Sequence, residues 1–186
     1  ITYGLDESGG NCPAVNISAA FQNFQRYQMP LRDNINISQK NRPATDDILT
    51  AIADEVGVRT DDVSRFPQSL DTMLSREFGG VDLSGGEWQR IAIARSLYRE
   101  SRFIILDEPT SAIDPYEEAY LYEKFAQITK ERTAVLITHR LGAVKIADKI
   151  AVLKKGRLVG LGTHSQLMEE NGEYVRLFQS QKQWYQ

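Results

Sequence analysis

The chain predicts an α/β fold on a mostly parallel sheet, and three observations carry that prediction. Short uninterrupted apolar runs alternate with helical periodicity through the second half, the pattern of strands covered on both faces. One run, residues 103–106, ends in two adjacent carboxylates, Asp107 and Glu108. A glycine-rich loop, Gly85-Gly86, opens a helical segment. At 186 residues the chain is long enough for one hydrophobic core. Its 22 Lys and Arg against 25 Asp and Glu leave a net charge of −3, so no basic face and no nucleic-acid partner is expected. No apolar run approaches the roughly 20 residues of a membrane-spanning helix. The single cysteine, Cys12, excludes an internal disulfide framework and a cysteine-based zinc cluster. A start at Ile1, with neither Met nor leader, is expected of a fragment.

Two strands, over 1–5 and 15–21, are predicted around a turn at Gly9, Gly10, Asn11 and Pro13. Thr45 can cap a helix holding Ile48, Leu49, Ile52, Ala53 and Val56 that stops at Gly57. Further short helices capped by Thr60 and Ser69 carry the helical region to about residue 74. Trp88, Ile91, Ala92, Arg95 and Leu97 recur at helical spacing behind the glycine loop, up to about Arg99. Then follow a strand over 103–106, a helix from Pro115, a strand over 134–138 and a helix from Leu141. Runs over 150–153 and 157–161 around Lys154, Lys155 and Gly156 read as a hairpin. Thr163 and Gln166 have capping-box spacing, and Tyr174, Leu177 and Phe178 stripe a last helix. His164, in a first helical turn, has a structural or solvent role, and Trp88 and Tyr98 pack rather than stack on bases.

Open α/β sheets place ligands at the C-terminal edge of their strands, which is where Asp107 and Glu108 fall. There the first acid can hold a hydrated Mg²⁺ bridging phosphate oxygens, and the second can orient or deprotonate the attacking water. Taken alone, the pair is equally a strand end with two solvated acids. Ser84, Gly85 and Gly86 bring a hydroxyl, backbone N–H groups and the positive end of a helix dipole to one spot, which suits an anion; the lesser reading is a glycine-containing loop with Ser84 as a plain N-cap.

Together these stretches resemble the ABC-type ATPases. Residues 83–90 (Leu83-Ser84-Gly85-Gly86-Glu87-Trp88-Gln89-Arg90) resemble the signature motif, and residues 103–108 resemble the Walker B strand. Phe21-Gln22 resembles the Q-loop, Ser111-Ala112-Ile113-Asp114 the D-loop, and Ile137-Thr138-His139-Arg140 the switch strand and H-loop. Residues 162–177 are similar to the tail of exporter-type nucleotide-binding domains. The resemblance implies a P-loop NTPase (RecA-like) core with a mostly parallel sheet and an α-helical subdomain. It divides the chain into 1–23, core strands up to the Q-loop; 24–99, helical subdomain; and 100–186, the rest of the core. It implies ATP and Mg²⁺, with Asp107 and Gln22 at the metal, Glu108 and Gln22 at the attacking water, and His139 at the γ-phosphate. Ser84, Gly85, Gly86 and Glu87 would face the nucleotide of a second nucleotide-binding domain, with Asp114 at the dimer interface. A transmembrane domain would be the other partner, placing the chain at the cytoplasmic face of the cell membrane, where ATP hydrolysis powers transport.

Three departures qualify the resemblance. The family's P-loop, Gly-x-x-x-x-Gly-Lys-[Ser/Thr], is absent: no glycine is followed by lysine, and Ser8-Gly9-Gly10-Asn11 lacks both the lysine and the metal-binding hydroxyl. The expectation is a core incomplete at its N-terminus, inactive as an ATPase on its own, with exposed strand edges that favour self-association. Glu87 stands where glutamine is most frequent, adding a negative charge beside the phosphate-facing loop. Residues 75–80 replace the usual exporter segment, with Phe78 where glutamate is common. A non-catalytic or degenerate regulatory subunit is the alternative. A DNA-repair or chromosome-maintenance ATPase is remoter, since residues 23–82 hold neither sustained heptads nor a basic stripe.

Overall fold

The computed structural model describes residues 17–130 and 132–182. The strand predicted over 1–5, residues 8–11 and Cys12 lie outside them. In chain order the elements are β1 (Ile17–Ala20), α1 (Leu31–Asn36), α2 (Asp46–Glu55), α3 (Gly85–Tyr98), β2 (Phe103–Asp107), α4 (Pro115–Ile128), β3 (Thr133–Ile137), β4 (Ile150–Lys154), β5 (Arg157–Gly162), α5 (His164–Glu170) and α6 (Gly172–Lys182).

β1, β2 and β3 form a parallel sheet in that order, with Ala20 opposite Leu106 and Asp107 opposite Ile137. The connection from β1 to β2 carries α1, α2 and α3, and the one from β2 to β3 carries α4. Ten of the 14 residues of α3 are buried, on every side of the helix, so α3 is the central strut rather than a surface helix. Ile91, Ala94, Leu97 and Tyr98 pack into one core with Leu31 and Ile35 of α1, Leu49 and Ala53 of α2, Ile104 and Leu106 of β2, and Leu121 and Phe125 of α4. Burying each such aliphatic side chain contributes about 1.5–3 kcal/mol. The hairpin β4–β5 with α5 and α6 gathers a smaller cluster around Val152, Leu167 and Tyr174.

Local chemistry explains the boundaries. Thr45 Oγ1 accepts the Ile48 N–H and starts α2. Gly57, at φ +74°, ends it in the left-handed conformation that favours glycine. Ser84 and Glu87 close a capping box on α3, as Thr163 and Gln166 do on α5. Lys155 and Gly156, at φ +49° and +74°, make the two-residue turn that matches the twist of β4 and β5. Trp88 and Tyr98 are buried, and the Tyr98 hydroxyl donates to the Arg42 carbonyl at 2.8 Å. His164 is structural: its Nδ1 lies 2.7 Å from the Tyr174 hydroxyl, with the Phe178 ring alongside.

Four readings of the sequence change. Thr60 caps no helix; the chain from 59 to 68 runs through turns closed by backbone bonds such as Phe66 N–H to Asp62 O. Ser69 is the first residue of a single 3₁₀ turn rather than its cap, with Gln68 ahead of it. The segment from Leu141 is one 3₁₀ run to Lys145, too short to propagate as an α-helix. β3 is apolar as a buried strand should be, yet Val135 and Ile137 are 41% and 50% exposed. Among the described residues no strand pairs with its outer edge.

Candidate active site

The parallel register gathers the first group of candidates. Gln22 lies two residues past Ala20, Asp107 ends β2 with Glu108 directly after it, and His139 lies two residues past Ile137. All three segments therefore leave the sheet at the same C-terminal edge. Gln22 is exposed there, while Asp107 is half-buried. Glu108 adopts φ +48°, a left-handed backbone that costs a non-glycine residue about 1–2 kcal/mol. Both of its backbone groups are held: its N–H donates to Ile137 O at 2.8 Å, and its carbonyl accepts from Ser111 N–H at 3.1 Å and Gln89 Nε2 at 2.8 Å. Its side chain is only 16% exposed and meets the 72% exposed His139, Oε1 to Nδ1, at 2.7 Å. The other oxygen, Oε2, is buried and has no hydrogen-bond partner among the described residues. A buried carboxylate oxygen in that condition suits a hydrogen-bond donor such as a water molecule.

The second group lies at the start of α3. Ser84, Gly85, Gly86 and Glu87 share a cleft of about 470 Å³ with Ala112, Ile113, Asp114 and the 57–66 loop. Gly86 approaches the D-loop segment so closely that a Cβ would meet Ala112 O at 2.8 Å. Asp114 is exposed, and its carbonyl receives the Glu117 and Glu118 N–H groups at the head of α4. The cleft is charged on both sides, with Arg59, Arg65 and Arg90 facing Asp62, Glu87, Asp114 and Glu117.

The negative charge that Glu87 adds beside the loop is paired. Arg65 clamps the carboxylate with both Nε and Nη2, and the Ser84 N–H donates to Oε2 at 2.7 Å. Partial burial opposes ionisation, but the Arg65 bridge and the Ser84 bonds outweigh it and hold the carboxyl below its ordinary value. A carboxyl depressed in the fold and released on unfolding stabilises the fold above its ordinary value of 4.5, and that stability is lost as pH falls through the folded value. The stability advantage of the wild-type chain over Glu87→Gln is therefore expected to be constant from pH 7 to about 5 and to shrink below 4.5. Urea midpoints measured along that series check this, and an advantage that grows on acidification contradicts it.

Three supports of the site escaped the sequence reading. Buried Gln89 reaches Glu108 O, Ser111 Oγ at 3.0 Å and the Ala112 N–H at 2.9 Å. Arg140 donates to Glu118 Oε2 at 2.8 Å and to Ser111 O at 3.3 Å, so the residue after His139 is tied to α4 and to the D-loop segment. The Gln181 amide, from α6, donates to the His139 carbonyl. Gln89 is one of three buried polar residues of α3, with Arg90 and Ser96, and nothing local in the sequence singles it out.

The residues present suit a hydrated Mg²⁺. No cluster of three or more His, Cys, Asp or Glu that could hold a metal exists among the described residues. An ion that takes one or two protein oxygens and completes its shell with water and phosphate needs no such cluster. The buried, unpartnered Glu108 Oε2 beside Asp107 is the oxygen such a hydrated centre would satisfy through water.

Comparison with known proteins gives the family. The chain is 39% identical over 167 residues to a subtilin transport ATP-binding protein of Bacillus subtilis, covering 89% of this chain and 27% of that protein. It is 34% identical over 169 residues to a nisin transport ATP-binding protein of Lactococcus lactis subsp. lactis, covering 90% and 28%. An ATP-dependent lipid A-core flippase of Acinetobacter baylyi is 34% identical over 169 residues, with 91% and 29% covered. The chain thus spans under a third of the length of these relatives. A solved bacterial Atm1-family ABC exporter with ATP bound superposes with a TM-score of 0.78 at 30% identity, covering 90% of this chain and 29% of that one. Residues 9–111 match the ABC transporter family, and with the site geometry above this establishes that the chain belongs to it.

Proposed function

We propose that this chain supplies catalytic and dimer-facing residues to the ATPase of an ABC exporter, with ATP hydrolysis driving transport through a transmembrane domain. The observation that carries the reading is the convergence of Glu108, its His139 partner and Gln22 on one sheet edge, with the Ser84–Glu87 loop braced separately against residues 112–114. A half-buried carboxylate with one oxygen unpartnered can accept a proton from water, and an imidazole hydrogen-bonded to it can present its other nitrogen to a phosphate oxygen. Asp107 and Gln22 would hold the Mg²⁺, which neutralises charge on the phosphate oxygens. The N–H groups of Gly85 and Gly86 at the head of α3 would face the phosphates held by a second nucleotide-binding domain.

Residues 24–99 act as the helical subdomain, and 1–23 with 100–186 belong to the sheet-bearing core. The phosphate cradle itself is not among these 186 residues, since none of their glycines precedes a lysine. On this reading the chain holds ATP only together with a P-loop and a second domain. Membrane association comes through the transmembrane partner; no described helix is long and apolar enough to cross a bilayer. The retained Glu108–His139 pair favours a catalytic subunit over a degenerate one.

The test is phosphate release from Mg-ATP by membranes carrying the assembled transporter. Ser84→Arg, which fills the loop with a long side chain, is expected to abolish turnover at an unchanged amount of protein. Turnover that survives Ser84→Arg contradicts the assignment.

A further inference from the structure

We propose that Gln89 is a positioning residue that couples the signature loop to the catalytic carboxylate of the same subunit. The inference deepens the functional reading above and rests on it. Glu108 holds an unfavourable left-handed backbone, and such a conformation persists only where its neighbours over-determine it. The Gln89 amide, 2% exposed, is one of those determinants, donating to the Glu108 carbonyl at 2.8 Å. The same NH₂ donates to Ser111 Oγ at 3.0 Å, and its Oε1 accepts the Ala112 N–H at 2.9 Å. All three polar contacts are with the chain between the catalytic acid and the dimer-facing Asp114.

Gln89 stands little more than one helical turn inside α3, whose first residues are Gly85 and Gly86. A rigid helix transmits axial movement of its start to that position, while Gly86 meets Ala112 on the same segment. When Ser84, Gly85 and Gly86 engage the partner's nucleotide, α3 is fixed, and through Gln89 so are the Glu108 turn and residues 111–112. Catalytic geometry in one site thus depends on nucleotide engagement in the other. Arg140, which donates to the Ser111 carbonyl, brings the His139 segment to the same junction.

The experiment compares wild type, Gln89→Met, Gln89→Glu and Glu108→Gln in the assembled transporter. It reads kcat and KM for Mg-ATP, urea unfolding, and amide exchange at Ala112. Met fills the same space and removes all three bonds. Glu keeps an acceptor for the Ala112 N–H but, whatever its protonation, cannot supply both of the N–H bonds that the amide gives to Glu108 O and Ser111 Oγ. Both variants are expected to lower kcat by between about tenfold and a hundredfold, the effect of a catalytic group displaced by up to an ångström, with KM within about twofold. Met speeds exchange at Ala112 and Glu does not, which separates loss of position from loss of local structure. If Met prevents folding, the Glu variant carries the kinetic test. Wild-type kcat in either folded variant, or a loss confined to KM, overturns the proposal while the functional reading stands. More than a tenth of the wild-type rate in Glu108→Gln removes Glu108 from the base role and overturns this proposal, which rests on that role.

Discussion

Glu108→Gln is expected to lower ATP turnover by about 10²- to 10⁴-fold at saturating Mg-ATP, the range for removing a positioned general base. The side chain is nearly isosteric, so the His139 hydrogen bond at 2.7 Å can be kept with the amide oxygen as acceptor. What is lost is the basicity of the oxygen that faces the reaction, Oε2, buried and without a protein partner. The backbone bonds to Ile137, Ser111 and Gln89 are untouched, so urea stability should stay within about 0.5 kcal/mol of wild type, as for substitutions that disturb no packing. Phosphate release and urea unfolding on the same preparations check both halves. A variant with more than a tenth of the wild-type rate would remove Glu108 from the base role and leave the acid pair as a metal site only.

The largest stability effect is expected from Glu118→Ala, at about 3 kcal/mol, the lower end of what breaking a buried ion pair costs. Glu118 is on the inner face of α4, its side chain 5% exposed. One oxygen accepts from Arg140 Nη1 at 2.8 Å and the other from Thr110 Oγ1 at 3.2 Å. Thr110 also meets the Tyr122 hydroxyl at 3.1 Å, and burial pushes that phenol up, keeping it neutral. Truncation removes a buried anion from between a cation and a hydroxyl, and the Ala side chain leaves a space beside Thr110 and Arg140. Glu118→Gln, which preserves the shape and the neutral bond, should cost less. Denaturant midpoints with unchanged slope check this, and a loss below about 1 kcal/mol in Glu118→Ala would show that solvent reaches the pair. The same lesion loosens Arg140, and with it the segment that carries His139.

The sheet-edge site was legible because it is written in consecutive residues. An apolar strand that ends in Asp107 and Glu108 can only deliver them to a C-terminal edge, and the parallel register brings Gln22 and His139 there. The caps at Thr45, Ser84 and Thr163 were legible for the same reason: donor and acceptor lie three residues apart. What was missed depends on residues far apart in sequence. The neutralisation of Glu87 comes from Arg65, 22 residues away, and the anchoring of Glu108 from Gln89, 19 residues away. The helix α1 lacks a side-chain cap and starts after Pro30, so only its packing reveals it, with Leu31 and Ile35 fully buried. Thr60 carries a good capping residue type, yet the following stretch, with Asp61, Asp62 and Pro67, closes turns instead. Exposure of β3 could not be read from its composition, because an apolar strand is covered only where something packs on it.

The central claim is that Glu108 serves its own subunit while Ser84 serves the other. Dimers assembled from two differently tagged copies test it directly, with Glu108→Gln and Ser84→Arg placed either both on one copy or one on each. Splitting the lesions leaves one composite site intact, so the account predicts clear turnover, at most half of wild type and lowered further because the intact Glu108 lies on the copy whose own signature loop is blocked; combining them on one copy spoils both sites and leaves almost none. The reverse order, with activity when both lesions share a copy and none when they are split, would show that Glu108 and Ser84 act within one subunit and would contradict the account.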